Sequence, residues 1–249
     1  MVVQSSSKIG VYRPTRFMFT GNPTAGKTHL AATFPKPFFM DFDDGCRRVG
    51  SKLPFDFEVF DVMNDSQAAT HALLRLKEFI ALKTAGKLPY RTLVLDSLTT
   101  WSQAQMDAIL TANGRKDGKA QIQDYGALAD DMRSLFGMAI RVAEFVILIA
   151  HEDIEKDELT GAIVASPLCL GKKFIKHLPG YVDDMWFCES RAIAGKRSFS
   201  IKTLPDSRHP FLRTAIANMP QLMEDPSFEK IAKLGGFWEE PKAVAQVAK

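Results

Sequence analysis

Short runs that are apolar without interruption alternate along this chain with longer stretches whose apolar residues return every three or four positions. Phe17-Met18-Phe19-Thr20 leads up to Gly21, Phe38-Phe39-Met40 to Asp41, Leu93-Val94-Leu95 to Asp96, and Phe145 to Ala150 leads up to His151. Such runs suit strands covered on both faces. Between them the spacing predicts helices over 28–34, stopped by Pro35, and over 66–83, with Leu73, Leu76 and Ile80 on one face. Two more are predicted over 99–112, ending at Asn113-Gly114, and over 126–143, with a stripe of Leu128, Met132, Leu135, Phe136 and Ala139. Alternating strands and helices predict an α/β fold: a mostly parallel sheet flanked by helices.

The pattern changes after Gly180. Met185-Trp186-Phe187-Cys188 and Phe199-Ser200-Ile201-Lys202 flank a polar stretch with Gly195, which predicts a β-hairpin added to the sheet. A last helix is predicted from the Asp225-Pro226 cap signal to Gly235-Gly236. The chain thus divides into a polar arm (1–15), one core domain (16–220) and a C-terminal helix and tail (221–249).

Composition narrows the class. With 249 residues, 46% hydrophobic and 24% charged, the chain is neither disordered nor fibrous. A net charge of +3 is too mild for a globally basic nucleic-acid binder, so any basic surface must be local. Cys46, Cys169 and Cys188 lie far apart with no CxxC, which points to a reducing compartment and away from structural zinc. The strongly apolar run at 145–150 is far short of the ~20 residues of a membrane span. The first seven residues lack the pattern of a signal peptide. A soluble cytoplasmic protein is expected.

The chemistry concentrates at strand ends. Gly21-Asn22-Pro23-Thr24-Ala25-Gly26-Lys27-Thr28 matches GxxxxGK[ST] in full, between a strand and a helix. Its backbone N–H groups can cradle phosphates, helped by the positive end of the helix. Lys27 is placed to reach the β- and γ-phosphates of ATP and Thr28 to ligate Mg²⁺. His29 completes the nucleotide-contacting run. Asp96, closing an apolar strand, is the candidate second metal residue. Asp41-Phe42-Asp43-Asp44-Gly45 offers acids to polarise an attacking water; Asp41 and Asp43 fall on one side of a strand, and Asp43 projects past its end. His151, beyond the 145–150 strand, faces the position of a γ-phosphate.

With GNPTAGKT, DFDDG, LVLDS and LIAH in this order, residues 16–215 resemble the RecA-like recombinase ATPases, and most closely the short phage relatives that anneal single strands. The resemblance implies a phage protein in the host cytoplasm, an ATPase with Mg²⁺, acting on single-stranded DNA in homologous recombination as a homo-oligomeric ring or filament. A single-strand-binding protein is a further candidate partner. The family's water-activating glutamate falls on Asp43, one methylene shorter, and its γ-phosphate sensor, often glutamine, on His151. Adenine stacking falls on Arg47 or Arg48, with Arg47 preferred. The two DNA-binding loops map onto Thr111 to Asp124, with Arg115, Lys116 and Lys119, and onto Glu152 to Leu170. The second opens with five acids, and Lys172 and Lys173 come just after it. In 191–213 six basic residues stand against Asp206 alone; of these, Arg208 and Arg213 are the candidates to track DNA or reach a neighbour's nucleotide. Rival readings are an AAA-type helicase loader or motor, which would end in a helical lid where 180–205 read as strands, a small-molecule P-loop kinase, and a non-hydrolysing nucleotide switch.

Overall fold

The structure, a computed structural model, describes residues 15–237 other than 117, 157, 159–160 and 194–195; for 172, 173, 193 and 196 only the backbone is described. The expected arm and the end of the expected tail lie largely outside these residues. In chain order the elements are β1 (Arg16–Thr20), α1 (Lys27–Ala32), β2 (Pro37–Asp41), α2 (Cys46–Gly50), β3 (Asp56–Val59) and α3 (Ala68–Thr84). Next come β4 (Thr92–Asp96), α4 (Leu98–Ala112), α5 (Ile122–Val142), β5 (Phe145–Ile149), β6 (His151–Lys156) and β7 (Ile163–Leu168). The chain continues through α6 (Lys172–His177), β8 (Asp184–Ile193), β9 (Lys196–Lys202), β10 (Leu222–Glu224) and α7 (Phe228–Leu234).

Eight strands form one sheet in the order β10-β9-β8-β1-β5-β4-β2-β3. From β8 to β3 every pairing is parallel; β8–β9 and β9–β10 are antiparallel. This is an α/β arrangement, a mostly parallel sheet flanked by helices, with an antiparallel hairpin extension. Side-chain alternation splits the core. Met18, Leu93, Leu95 and Leu148 pack with Trp101 on the face covered by α3, α4 and α5. Phe17, Phe19, Val94 and Ile147 pack with Phe34 and Trp186 on the face of α1 and α7. Both faces are dry, as uninterrupted apolar runs require. The strands therefore end together: Asp41 pairs with Asp96 in register, and Phe19 lies between Ile149 and Trp186. Polar residues that follow each run collect along one edge, where ligands bind in such sheets.

Several elements differ from expectation. Helix α5 begins at Ile122 rather than 126, because Gln121 and Asp124 form a reciprocal capping box ahead of it. The segment expected to be a loop over 152–170 instead holds the β6–β7 hairpin, from His151↔Leu168 to Lys156↔Ile163. Helix α7 is capped by Ser227, whose side chain accepts from the Lys230 N–H at 3.3 Å, rather than by Asp225. The short β3, α2, α6 and β10 had no periodicity long enough to announce them. Among the described residues no helix is long and apolar enough to cross a membrane.

Candidate functional site

The loop between β1 and α1 is shaped by what glycine lacks. At Gly21 (φ 137°) a Cβ would lie 2.3 Å from the Cys188 carbonyl of β8, and at Gly26 (φ 92°) it would lie 2.5 Å from the Phe199 ring of β9. Two strands of the C-terminal extension thus press directly on this loop, and only glycine permits that approach. Lys27 opens α1 and is buried; its Nζ donates to the Gly21 and Asn22 carbonyls at 2.7 and 2.9 Å. Burial lowers its pKa, against the pull of Asp96 and Asp43. The ammonium is held over the hollow of the loop by neutral carbonyls, partners that phosphate oxygens outbid.

Thr28 donates its hydroxyl to Asp96 Oδ2 at 2.7 Å. Burial, with Asp43 and Asp41 nearby, pushes the Asp96 carboxyl up to about 7, although Thr28 and Lys27 oppose the shift. A hydroxyl and a carboxylate meeting at a point short of positive charge is the donor set that Mg²⁺ completes, so the residues fit that ion. Asp41 plays another part: its carboxylate accepts the backbone N–H groups of Asp43 (3.1 Å), Gly45 (3.2 Å) and Cys46 (2.9 Å) and holds the start of α2. Of the acids in 41–44, Asp43 is the one that faces the site.

Both oxygens of Asp43 are engaged. Oδ1 accepts from the Thr100 hydroxyl, and Oδ2 lies 3.2 Å from His151 Nε2. Burial alone would raise the Asp43 carboxyl, but hydrogen bonds from His151, Thr100 and Ser97 outweigh it and hold the pKa below its usual value. His151 is fixed through its backbone, whose N–H donates to Thr99 Oγ1 at 3.0 Å. Its Nδ1 is buried with no partner among the described residues.

Lys27, Thr28, Asp43, Asp96 and His151 line one end of a cavity of about 550 Å³, within the size range of sites for ligands such as a nucleotide. The other end is walled by His29, Arg48, Val49, Lys52, Arg197 and Phe199, with His29 stacked on Phe199 at 5.6 Å between ring centroids. Arg47 is not among the lining residues. Its guanidinium turns outward to Asp44 at 2.9 Å, and Arg48 occupies the wall instead, which corrects the preference for Arg47. Pro23, Thr24 and Ala25 line the phosphate end, as does Gly26.

The remaining candidates are dispersed. Arg115 makes a two-pronged pair with buried Asp124 at 2.7 and 2.9 Å, so it closes the α4–α5 connection rather than reaching outward. Lys116 and Lys119 are exposed. The side chains of Lys172 and Lys173 lie outside the described residues. Arg208 turns inward to Glu152 at 3.4 Å, and Arg213 donates to the Pro179 carbonyl at 2.7 Å. Glu152 is buried and also lies 2.9 Å from His209 Nε2, a pairing that joins the residue after His151 to the 203–213 segment. Sequence reasoning did not single out Thr100, Lys52, Phe199 or this pairing. Thr100 was within reach, since it lies one helical turn beyond Ser97 in the helix that follows Asp96.

No curated protein matches the chain. Among solved structures, a KaiC-like protein from the hyperthermophilic archaeon Pyrococcus horikoshii is similar, with 12% identity, 76% of this chain and 78% of that one covered, and a TM-score of 0.44. The family model described as an AAA domain matches residues 13–210, which hold the phosphate loop, Asp43, Asp96 and His151. The chain belongs to this AAA domain family of P-loop ATPases.

Proposed function

We propose that the protein is an ATP-hydrolysing, single-stranded-DNA-binding recombinase or annealing protein of the phage type, assembled from several copies when ATP is bound. The cavity supports the hydrolytic part. The loop N–H groups and Lys27 bind the phosphates, Lys27 exchanging its two carbonyl partners for phosphate oxygens. Thr28 and Asp96 would hold Mg²⁺, which when bound draws charge from the β- and γ-phosphate oxygens. Asp43 orients a water in line with the terminal phosphorus. The water oxygen bonds to phosphorus, the bond to the bridging oxygen of ADP breaks, and the proton is accepted at the Asp43 end of the site. Arg48 and Phe199 are the wall against which the base rests.

The observation that carries the DNA reading is the α4–α5 connection. Lys116 and Lys119 are exposed, and beside them in sequence Ile122 and Tyr125 are 93% and 43% exposed. Cations that meet phosphates, next to an exposed ring on which bases stack, suit single-stranded nucleic acid. Against the loader or motor reading, the residues after 180 form strands β8, β9 and β10 and the short α7, with no helical lid among the described residues. Against a silent switch, Asp43 is ionised and faces the cavity.

The test is ATP turnover with and without single-stranded DNA, with electron microscopy of the same mixtures. Turnover that rises with DNA, alongside rings or filaments that form with ATP, is expected. Turnover indifferent to DNA, with the protein remaining a single copy, overturns the recombinase reading; no ATP turnover at all overturns the enzyme.

A further inference from the structure

The carboxylate that must aim the water stands on a short side chain in a turn, so something outside that turn has to fix its direction. The backbone around it is already set. The Phe42 N–H donates to the Asp96 carbonyl at 2.6 Å, and the Phe42 ring stacks on Trp101 at 5.5 Å with 14° between planes. Trp101 is wholly buried. Residue 42 therefore lies on residue 101, and this places Asp43 beside Thr100 in the first turn of α4. That turn is held in its own right, because Ser97 caps it by accepting the Thr100 N–H at 3.3 Å.

What the backbone leaves open is the rotation of the Asp43 side chain. Thr100 Oγ1 contacts Oδ1, and a carboxylate oxygen that has accepted one hydrogen bond keeps a second lone pair. The neighbouring Thr99 holds His151 through its backbone N–H, so two consecutive threonines serve the two groups that converge on the terminal phosphate. Thr100 is not among the residues that line the cavity.

We propose that Thr100 is a positioning residue for ATP hydrolysis: its hydroxyl aims the Asp43 carboxylate at the attacking water, making up for the methylene that aspartate lacks. This inference rests on the ATPase reading above. Because Phe42, Trp101 and Ser97 fix the backbone without it, Thr100→Val keeps the fold and removes only the donor; thermal unfolding of the variant checks this, and Thr100→Ala serves as a second variant of different shape.

The experiment measures steady-state ATP hydrolysis and, separately, ATP affinity for the wild type, Thr100→Val, Thr100→Ala and Thr100→Ser. Loss of the donor is expected to lower kcat about tenfold while ATP affinity stays within about twofold, and serine is expected to restore most of the rate. In an Asp43→Asn background Thr100→Val should cost nothing further, because its effect runs through that carboxylate. Unchanged or faster turnover in both Val and Ala variants overturns the proposal. So does a fall in ATP affinity that matches the fall in kcat, a failure of serine to restore the rate, or a full additional loss in the Asp43→Asn background. A wild-type protein without turnover would instead overturn the ATPase reading, and this inference with it.

Discussion

The strand-end site and the β8–β9 extension both gather charged side chains, and they treat them in opposite ways. At the site, Asp43 and Asp96 act on Lys27, which is itself tied to backbone carbonyls. Asp96 is driven up to about 7, chiefly by burial. On the extension and the loop beyond it three cations meet acids: Arg191 pairs with Glu189 at 2.9 Å, Lys202 with Asp206 at 3.4 Å and Arg208 with Glu152 at 3.4 Å. A buried excess of one sign, left unmet, marks a place completed by something else. A run of like charges along the sequence does not, because folding can bring it its counter-charges.

The comparison is most sharply tested at Lys27. Lys27→Ala should lower turnover by at least about a hundredfold, followed by phosphate release, since the cation held at the phosphate loop is gone. Asp43→Asn should lower it by about a hundredfold with ATP affinity retained, read by equilibrium nucleotide binding; equal losses of both would mean that Asp43 binds rather than orients.

Arg197 sharpens the contrast within the extension. It lines the cavity while Arg191 is paired away from it. Arg197→Ala should weaken ATP binding by roughly three- to tenfold and Arg191→Ala should leave it unchanged. For DNA, Lys116→Ala should lower the salt dependence of binding by about one counterion. Arg115→Ala should leave that slope alone and lower the melting temperature by a few degrees instead, because it strips buried Asp124 of its charged partner.

The smallest expected effect concerns Asp184 at the start of β8. Its Oδ1 accepts from Thr214 at 2.5 Å and from the Ala215 N–H at 3.1 Å, while Oδ2 has no partner among the described residues. Burial pushes this carboxyl up to about 6. The folded protein keeps that proton where the unfolded chain has lost it. Stability should therefore fall as pH rises from the ordinary aspartate range to about 6 and then level off. Denaturant titrations should show this slope in the wild type and a flatter one in Asp184→Asn.

Apolar runs and the phosphate-loop pattern made the sheet, its helices and half of the site readable from sequence, because those signals are local. What escaped was set by distance. The β6–β7 hairpin hides in a segment whose alternation is polar, and its root is buried through Glu152 and His209, residues far apart in the chain. The 191–213 segment read as basic because its acids, Glu152 and Glu189, lie outside that window. Arg47 and Arg48 are adjacent and alike. Only the Asp41 hydrogen bonds at the start of α2, and the pull of Asp44 on Arg47, decide which of them lines the cavity.

The contacts that Gly21 and Gly26 make with β8 and β9 have a consequence for synthesis. A ribosome that has released the first 180 residues has made every group assigned here to ATP hydrolysis, yet the floor on which the phosphate loop rests is still inside the exit tunnel. The nascent chain must wait for its last quarter before that loop can take its final shape, so truncation near residue 180 would spare the chemistry on paper and forfeit it in the test tube.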